Sequence, residues 1–387
     1  MNYRTTEAPN ACVLEKVMSG AQYMTTAVEV AGPGRVRLVR VSVPAPGPGE
    51  LVLRMRGCGL CGTDLGKIGR PATPGAAAAG LGAARREPEG DTAGGPVKLG
   101  HEVVGEVEAT GAGVTAFRAG ERVVVGHHVP CGACRFCRHG SHSMCPQFRA
   151  TNLDPCGFAG RIRVPGLNAA HAAFRVPDHL PDETAIFVEP LGCALRAARR
   201  SDVQPGDRVA VAGAGAMGLL IAQGVQAAGG HALSLDLAPA RLELARGLGI
   251  AATLDAARPD LTAALRDWTG GDGLDAAILT AVTPGLLAAL LPALRAGGHL
   301  NLFAPPAAGE PYALDLGQLY SRELTVRSTY SSTPADLARA LDLLASGAVR
   351  ADGLVTHRLP LDRFAEGVEL QRSGRALKVL FYPGDEA

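Results

Sequence analysis

Arg208-Val-Ala-Val-Ala212 reads as a buried strand, and Gly213-Ala-Gly-Ala-Met-Gly218 follows it without a break. Met217–Ala228 then continues as an apolar helix. G-x-G-x-x-G alone is a weak pattern, but between a strand and a helix it has the context that dinucleotide binding needs. Gly213 makes the tight turn, Gly215 lets the backbone approach a pyrophosphate, and Gly218 lets the helix pack on the sheet. The helix start, Ala216 and Met217 included, offers free N–H groups and a positive dipole end to the phosphates. Asp236 lies 18 residues past Gly218, at the end of the next strand. A carboxylate there accepts hydrogen bonds from ribose hydroxyls and repels a 2′-phosphate, which favours NAD over NADP. Arg241, five residues on, works the other way, because a nearby Arg accommodates a phosphate.

Strands and helices alternate outward from this motif. Strands are expected at Ala232–Leu235, Leu274–Leu279, Gly298–Phe303 and Leu324–Ser328, and helices at Pro239–Leu248, Pro284–Leu294 and Pro334–Ala345. That rhythm predicts a parallel, doubly wound α/β sheet. The first half differs, with short β-like runs at Thr26–Val30, Val36–Val43, Glu50–Gly57, Val103–Ala109, Arg122–Val125 and Gly160–Val164. A closing strand at Ala376–Tyr382 is positioned to rejoin that half. Residues 1–23 read as an extension without clear period, and 70–97, rich in Ala, Gly and Pro, as a long mobile surface loop.

Cys131, Cys134, Cys137 and Cys145 follow C-x2-C-x2-C-x7-C. Four thiolates so spaced wrap one tetrahedral Zn²⁺ and leave no position for substrate, so this site is structural. A second, open set is spread through the chain: Cys61 in Cys-Gly-Thr-Asp64, His101 and Glu102 in Gly-His-Glu, and Glu189 in Glu-Pro-Leu. A thiolate, an imidazole and a carboxylate hold Zn²⁺ and leave room for an alcohol oxygen, whose pKa the metal lowers. Asp64 is placed to hold the His101 ring. Each residue alone has a blander reading, since an isolated Cys is most often a small buried hydrophobe. Cys12, Cys58 and Cys156 are read as thiols without function.

The whole chain of 387 residues suits two domains. Net charge is +1, which gives no excess to neutralise a phosphate backbone, so nucleic acid is not expected as a partner. No run approaches the roughly 20 apolar residues of a membrane span, and Met1 to Gln22 lacks the pattern of a secretory signal. Nine cysteines, four of them at zinc spacing, point to a reducing, cytoplasmic compartment.

These motifs together resemble the zinc-dependent medium-chain alcohol/polyol dehydrogenases. Cys61-Gly-Thr-Asp64, Gly100-His-Glu102, the four-Cys lobe, Phe158-Ala-Gly160, Glu189-Pro-Leu191, and Gly213–Gly218 with Asp236 carry the likeness. Glu-Pro-Leu is similar to the sorbitol, threonine and glucose dehydrogenase branch. The resemblance implies a GroES-like, mainly-β catalytic domain (24–189 and 330–387) and a Rossmann NAD-binding domain (190–329). It implies one catalytic zinc on Cys61, His101 and either Glu102 or Glu189, and one structural zinc on the four-Cys lobe. Thr63 matches the hydroxyl that passes the substrate proton on. Relatives carry a relay His where this chain has Gly66, followed by Lys67. The implied activity is hydride transfer between a secondary alcohol (polyol, sugar, cyclitol or amino alcohol) and NAD, by a homodimer or homotetramer. The alternatives are a redox-neutral conversion such as epimerisation with bound NAD, or a non-catalytic binding protein of the same fold.

Overall fold

The structure is a computed structural model and describes residues 22–69, 97–306 and 312–384. The expected loop at 70–97 falls almost wholly outside these residues, as does the extension up to residue 21. Gln22 and Tyr23, expected in that extension, already belong to the first strand.

The first half is β, as expected. A hairpin of β1 (Gln22–Gly32) and β2 (Arg35–Pro44) lies beside a seven-stranded sheet. That sheet contains β3 (Leu51–Gly59), β4 (Glu102–Thr110), β5 (Arg122–Val125), β6 (Arg161–Val164) and β7 (Ala173–Arg175). Its pairings among these strands are antiparallel. Alternating burial along β2 marks one wet face, whereas β3 is buried along most of its length and sits centrally in the sheet.

The second half is a parallel sheet of β8 (Arg208–Ala212), β9 (His231–Asp236), β10 (Ala252–Asp255), β11 (Leu274–Leu279), β12 (Leu294–Leu302) and β13 (Thr325–Ser328). Strand order is β10-β9-β8-β11-β12-β13, the doubly wound order that reverses between β8 and β11. Ligands of such sheets bind outside the strand ends at that switch, where Gly213 and Thr280 lie. Beyond it the chain returns: β14 (Val355–Pro360) and β15 (Lys378–Tyr382) complete the seven-stranded sheet, with β15 pairing antiparallel to β3.

One helix joins the halves. Val188–Arg200 packs on the helices Ala216–Ala227 and Pro334–Ala345 and also touches β4. Its apolar residues share one core with Val104 and Val124 of the first sheet and Val209 and Val211 of the second. The boundary expected at 189/190 therefore falls inside a buried helix. Among the described residues no helix is long and apolar enough to cross a membrane.

Candidate active site and zinc lobe

Gly62–Ile68 forms a short helix with Cys61 at its N-cap. Asp64, fully buried, accepts from the Cys61 amide through Oδ2 (3.1 Å) and from the Gly100 amide through Oδ1 (2.8 Å). One carboxylate thus pins two segments that are 39 residues apart in sequence, since the Gly100 amide immediately precedes His101. His101 Nδ1 lies 3.6 Å from Asp64 Oδ1, an ion-pair separation. Burial opposes charge on His101, yet Asp64, Cys61 and Glu189 together push its pKa well above the usual imidazole value.

The donor atoms of Cys61, His101 and Glu102 lie within 4.8 Å of one another, within reach of a single ion. A soft thiolate, an imidazole and a carboxylate are the donor set of an open zinc site, so the residues present fit that metal. Glu189 stands on the Val188–Arg200 helix and is buried. Burial pushes its pKa up to about 7; His101 opposes the shift and Glu102 adds to it. Its Oε1 accepts from the thiol of Cys193, one turn on, at 3.5 Å. Thr63 occupies the first turn of the Cys61 helix and is half-buried.

Two features here lay outside the sequence reading. Lys378, on β15, is 3% exposed and donates to both oxygens of Glu102 at 2.7 Å and to the Leu60 carbonyl at 3.1 Å. Burial works against its charge, but Glu102 and Cys61 raise its pKa. Gly59 is required beneath this pair, because a Cβ there would lie 2.0 Å from Glu102 Oε2. The second feature is a run of ring contacts, each pair tilted by 37–42°: His101 with His127 (centroids 4.7 Å), His127 with His128 (4.0 Å) and His128 with Phe148 (4.6 Å). Burial first, then neighbouring charges including Lys67, holds His127 and His128 neutral, His128 with a pKa of about 3. Adjacent histidines immediately before a Cys lobe were a signal available in the sequence. Lys378, 276 residues from Glu102, gave none.

The four lobe thiols converge within 4.8 Å. Sulfur separations are 3.5 Å for Cys134–Cys137 and 4.0 Å for Cys131–Cys137. A tetrahedron of Zn–S bonds has S–S edges of roughly 3.8 Å, so the cradle is zinc-sized. The amides of Cys134 and Cys131 donate to the sulfurs of Cys131 (3.3 Å) and Cys145 (3.4 Å), which favours thiolates. Phe148 packs against Cys137 and Cys145 from inside.

At the β8–β11 switch Gly213 has φ +96°, and a Cβ on Gly218 would sit 1.6 Å from the Gly213 carbonyl oxygen. A Cβ on Gly215 meets nothing within 4 Å, which leaves open space where a pyrophosphate would lie. Ala216 and Met217 begin the helix that follows. Asp236 accepts from the amides of Ala214 (2.7 Å) and Ala238 (2.9 Å), and Arg241 Nη1 is 3.6 Å from its Oδ2. Asp236 thus also braces the glycine loop.

Residues 47–179 match the model of the alcohol dehydrogenase GroES-like domain, and residues 216–346 that of the zinc-binding dehydrogenases. A sorbitol dehydrogenase of Bacillus subtilis (strain 168) is 30% identical over 90% of this chain and 94% of its own. The chain belongs to the zinc-dependent medium-chain alcohol/polyol dehydrogenases. Among other members of this family, an L-threonine 3-dehydrogenase of Proteus mirabilis (strain HI4320) is 28% identical over 90% of this chain and 96% of its own. The crystal structure of a zinc-binding dehydrogenase from Sinorhizobium meliloti 1021 bound to NADP has a TM-score of 0.79 at 28% identity, covering 94% of this chain and 100% of that one. Zinc binding and the pairing of a GroES-like domain with a parallel-sheet domain are family properties, and both halves are present here.

Proposed function

We propose that this chain is a zinc- and NAD-dependent dehydrogenase of a polar secondary alcohol. The observation that carries the reading is the convergence of Cys61 and the adjacent pair His101 and Glu102, from two separate segments, on one ion-sized volume. Bound zinc supplies a Lewis acid that makes the alcohol more acidic, and the nicotinamide supplies the hydride acceptor. Cys61 and His101 hold the metal. Either Glu102, whose oxygen lies within the cluster, or the buried Glu189 would complete the set as third ligand. Asp64 fixes both ligand segments through their amides. Thr63 Oγ1 accepts the hydroxyl proton as it gives up its own, passing the charge on toward solvent. Gly213, Gly215, Ala216, Met217 and Gly218 hold the pyrophosphate. Asp236 meets the ribose, and its charge disfavours a 2′-phosphate despite Arg241. The catalytic domain takes in the first sheet together with β14 and β15, the dinucleotide domain takes in the parallel sheet, and the Val188–Arg200 helix is shared between them.

Metal analysis of purified protein tests this together with NAD⁺ reduction on polyols, sugars, cyclitols and amino alcohols. About two zinc per chain with NADH formed on some member is the expected result. Cys61→Ser should abolish turnover while circular dichroism and the lobe zinc persist. About one zinc and no NADH on any substrate would reject the reading.

A further inference from the structure

The chain contains four lysines, Lys16, Lys67, Lys98 and Lys378, against 34 arginines (38 basic residues less four). The three that the structure describes all lie around the site. Lys378 neutralises Glu102 at 2.7 Å, and Lys98 pairs with Asp154 at 3.6 Å. Lys67 pairs with no carboxylate among the described residues. Its Nζ donates to the Lys98 carbonyl at 3.0 Å, three residues before His101, and two of its three donors remain unassigned. Lys67 is half-buried and stands one helical turn beyond Thr63, so both side chains leave the helix on one face. With no carboxylate among the described residues at ion-pair distance, this partly buried ammonium is open to an anion that arrives with a ligand.

His127 lies within electrostatic range of Lys67. Its ring lies against the His101 ring, is half-buried, and makes no hydrogen bond through either nitrogen among the described residues. Its neighbour His128 is satisfied, since Nδ1 lies 2.6 Å from the Thr151 carbonyl. The negative groups around His101 are Asp64, which the Cys61 and Gly100 amides hold, Cys61, Glu189 and the adjacent Glu102. Glu102 is already matched by Lys378, and Cys61 and Glu189 face the metal position.

We infer that Lys67 and the unpartnered ring of His127 form an anion-recognition subsite beside the zinc ligands, so that the alcohol oxidised here carries a carboxylate or phosphate within a few bonds of its hydroxyl. Hydroxy acids or sugar phosphates, not neutral polyols, are then the preferred class. This rests on the dehydrogenase reading above. In the step itself the carbinol C–H bond breaks, with its electron pair going to the oxidised nicotinamide. The hydroxyl proton leaves, and an oxo acid or oxo phosphate remains.

The test compares matched pairs on zinc-loaded, full-length enzyme with NAD⁺: 3-hydroxybutyrate against 2,3-butanediol, and sorbitol 6-phosphate against sorbitol. Wild type should favour the anionic member of at least one pair by about tenfold or more in kcat/KM, and the pair that responds tells carboxylate from phosphate. Lys67→Met should lower kcat/KM on that anionic member about 30-fold more than on its neutral partner, mainly through KM. Lys67→Arg should keep the preference, and His127→Phe should weaken it. Equal losses on both members of each pair, or no wild-type preference, would overturn the subsite. Calorimetric binding of the same anionic compounds to wild type and Lys67→Met separates the two readings. Charge-dependent binding with no turnover of any alcohol sinks the dehydrogenase reading alone. Turnover of neutral polyols without charge-dependent binding sinks the subsite alone.

Discussion

The ammonium of Lys378 sits 2.7 Å from both carboxylate oxygens of Glu102. Both groups are nearly inaccessible, and the same ammonium holds the carbonyl of Leu60, the residue before Cys61. The last strand of the chain thus touches two elements of the metal site at once.

Removing one member of this pair leaves the other as a buried, unmatched charge. Lys378→Met should destabilise the protein by about 3–5 kcal/mol, read by urea unfolding, and should loosen zinc retention against a chelator. Adding Glu102→Gln to that variant should recover much of the stability without restoring the metal. A double variant as unstable as the single one would mean that packing, and not charge, is the cause.

Cys134 tests the lobe by stoichiometry. Cys134→Ser should leave about one zinc per chain in place of about two and should lower the thermal midpoint, because structural zinc contributes folding energy directly. Retention of both metals with an unchanged midpoint would contradict the assignment of Cys131, Cys134, Cys137 and Cys145 to one ion.

The glycine loop makes two separable predictions. Gly218→Ala places a methyl 1.6 Å from the Gly213 oxygen, so the helix must shift and dinucleotide affinity should fall by about tenfold or more. Asp236→Ala frees the Ala214 and Ala238 amides and removes the charge, so NADH should weaken more than NADPH in a fluorescence titration. An unchanged preference would take Asp236 out of cofactor selection and leave it only as the brace of the loop.

His128 predicts acid sensitivity. Its folded pKa is about 3, below the ordinary 6.5, so between these values the unfolded chain binds the additional proton. Stability contributed by the neutral ring is fully present above about pH 6.5 and declines as pH falls, by about 1.4 kcal/mol per unit. Guanidinium unfolding at pH 7 and pH 5 should show this slope, and His128→Asn should flatten it. Equal slopes in the two proteins would rule the ring out as its source.

Much of this protein is legible in its sequence wherever the geometry is local. Arg208–Ala212, Leu274–Leu279 and Pro334–Ala345 are the elements expected, residue for residue. Periodicity and flanking Gly or Pro define such segments without help from the rest of the fold. The helix Val188–Arg200 was missed, although Glu189 at its start was singled out, because it carries Arg196 on a buried surface where a charge is not expected. Strands β10 and β14 were missed as well. Their half-exposed, irregular burial reflects edge positions in their sheets, and edge position is not a local property.

By itself, then, the sequence determined the doubly wound half, the glycine turn and the four-thiol cradle, because each arises from the steric demands of a few consecutive residues. Only the tertiary structure decided which distant groups meet. Asp64 ties Cys61 to Gly100, and Lys378 closes on Glu102 across 276 residues. The His127 ring lies against His101, and one helix carries Glu189 between the two sheets. These contacts depend on how the sheets pack and on the burial that follows. No spacing along the chain encodes that burial, and it is what makes the opposite charges at the site seek each other.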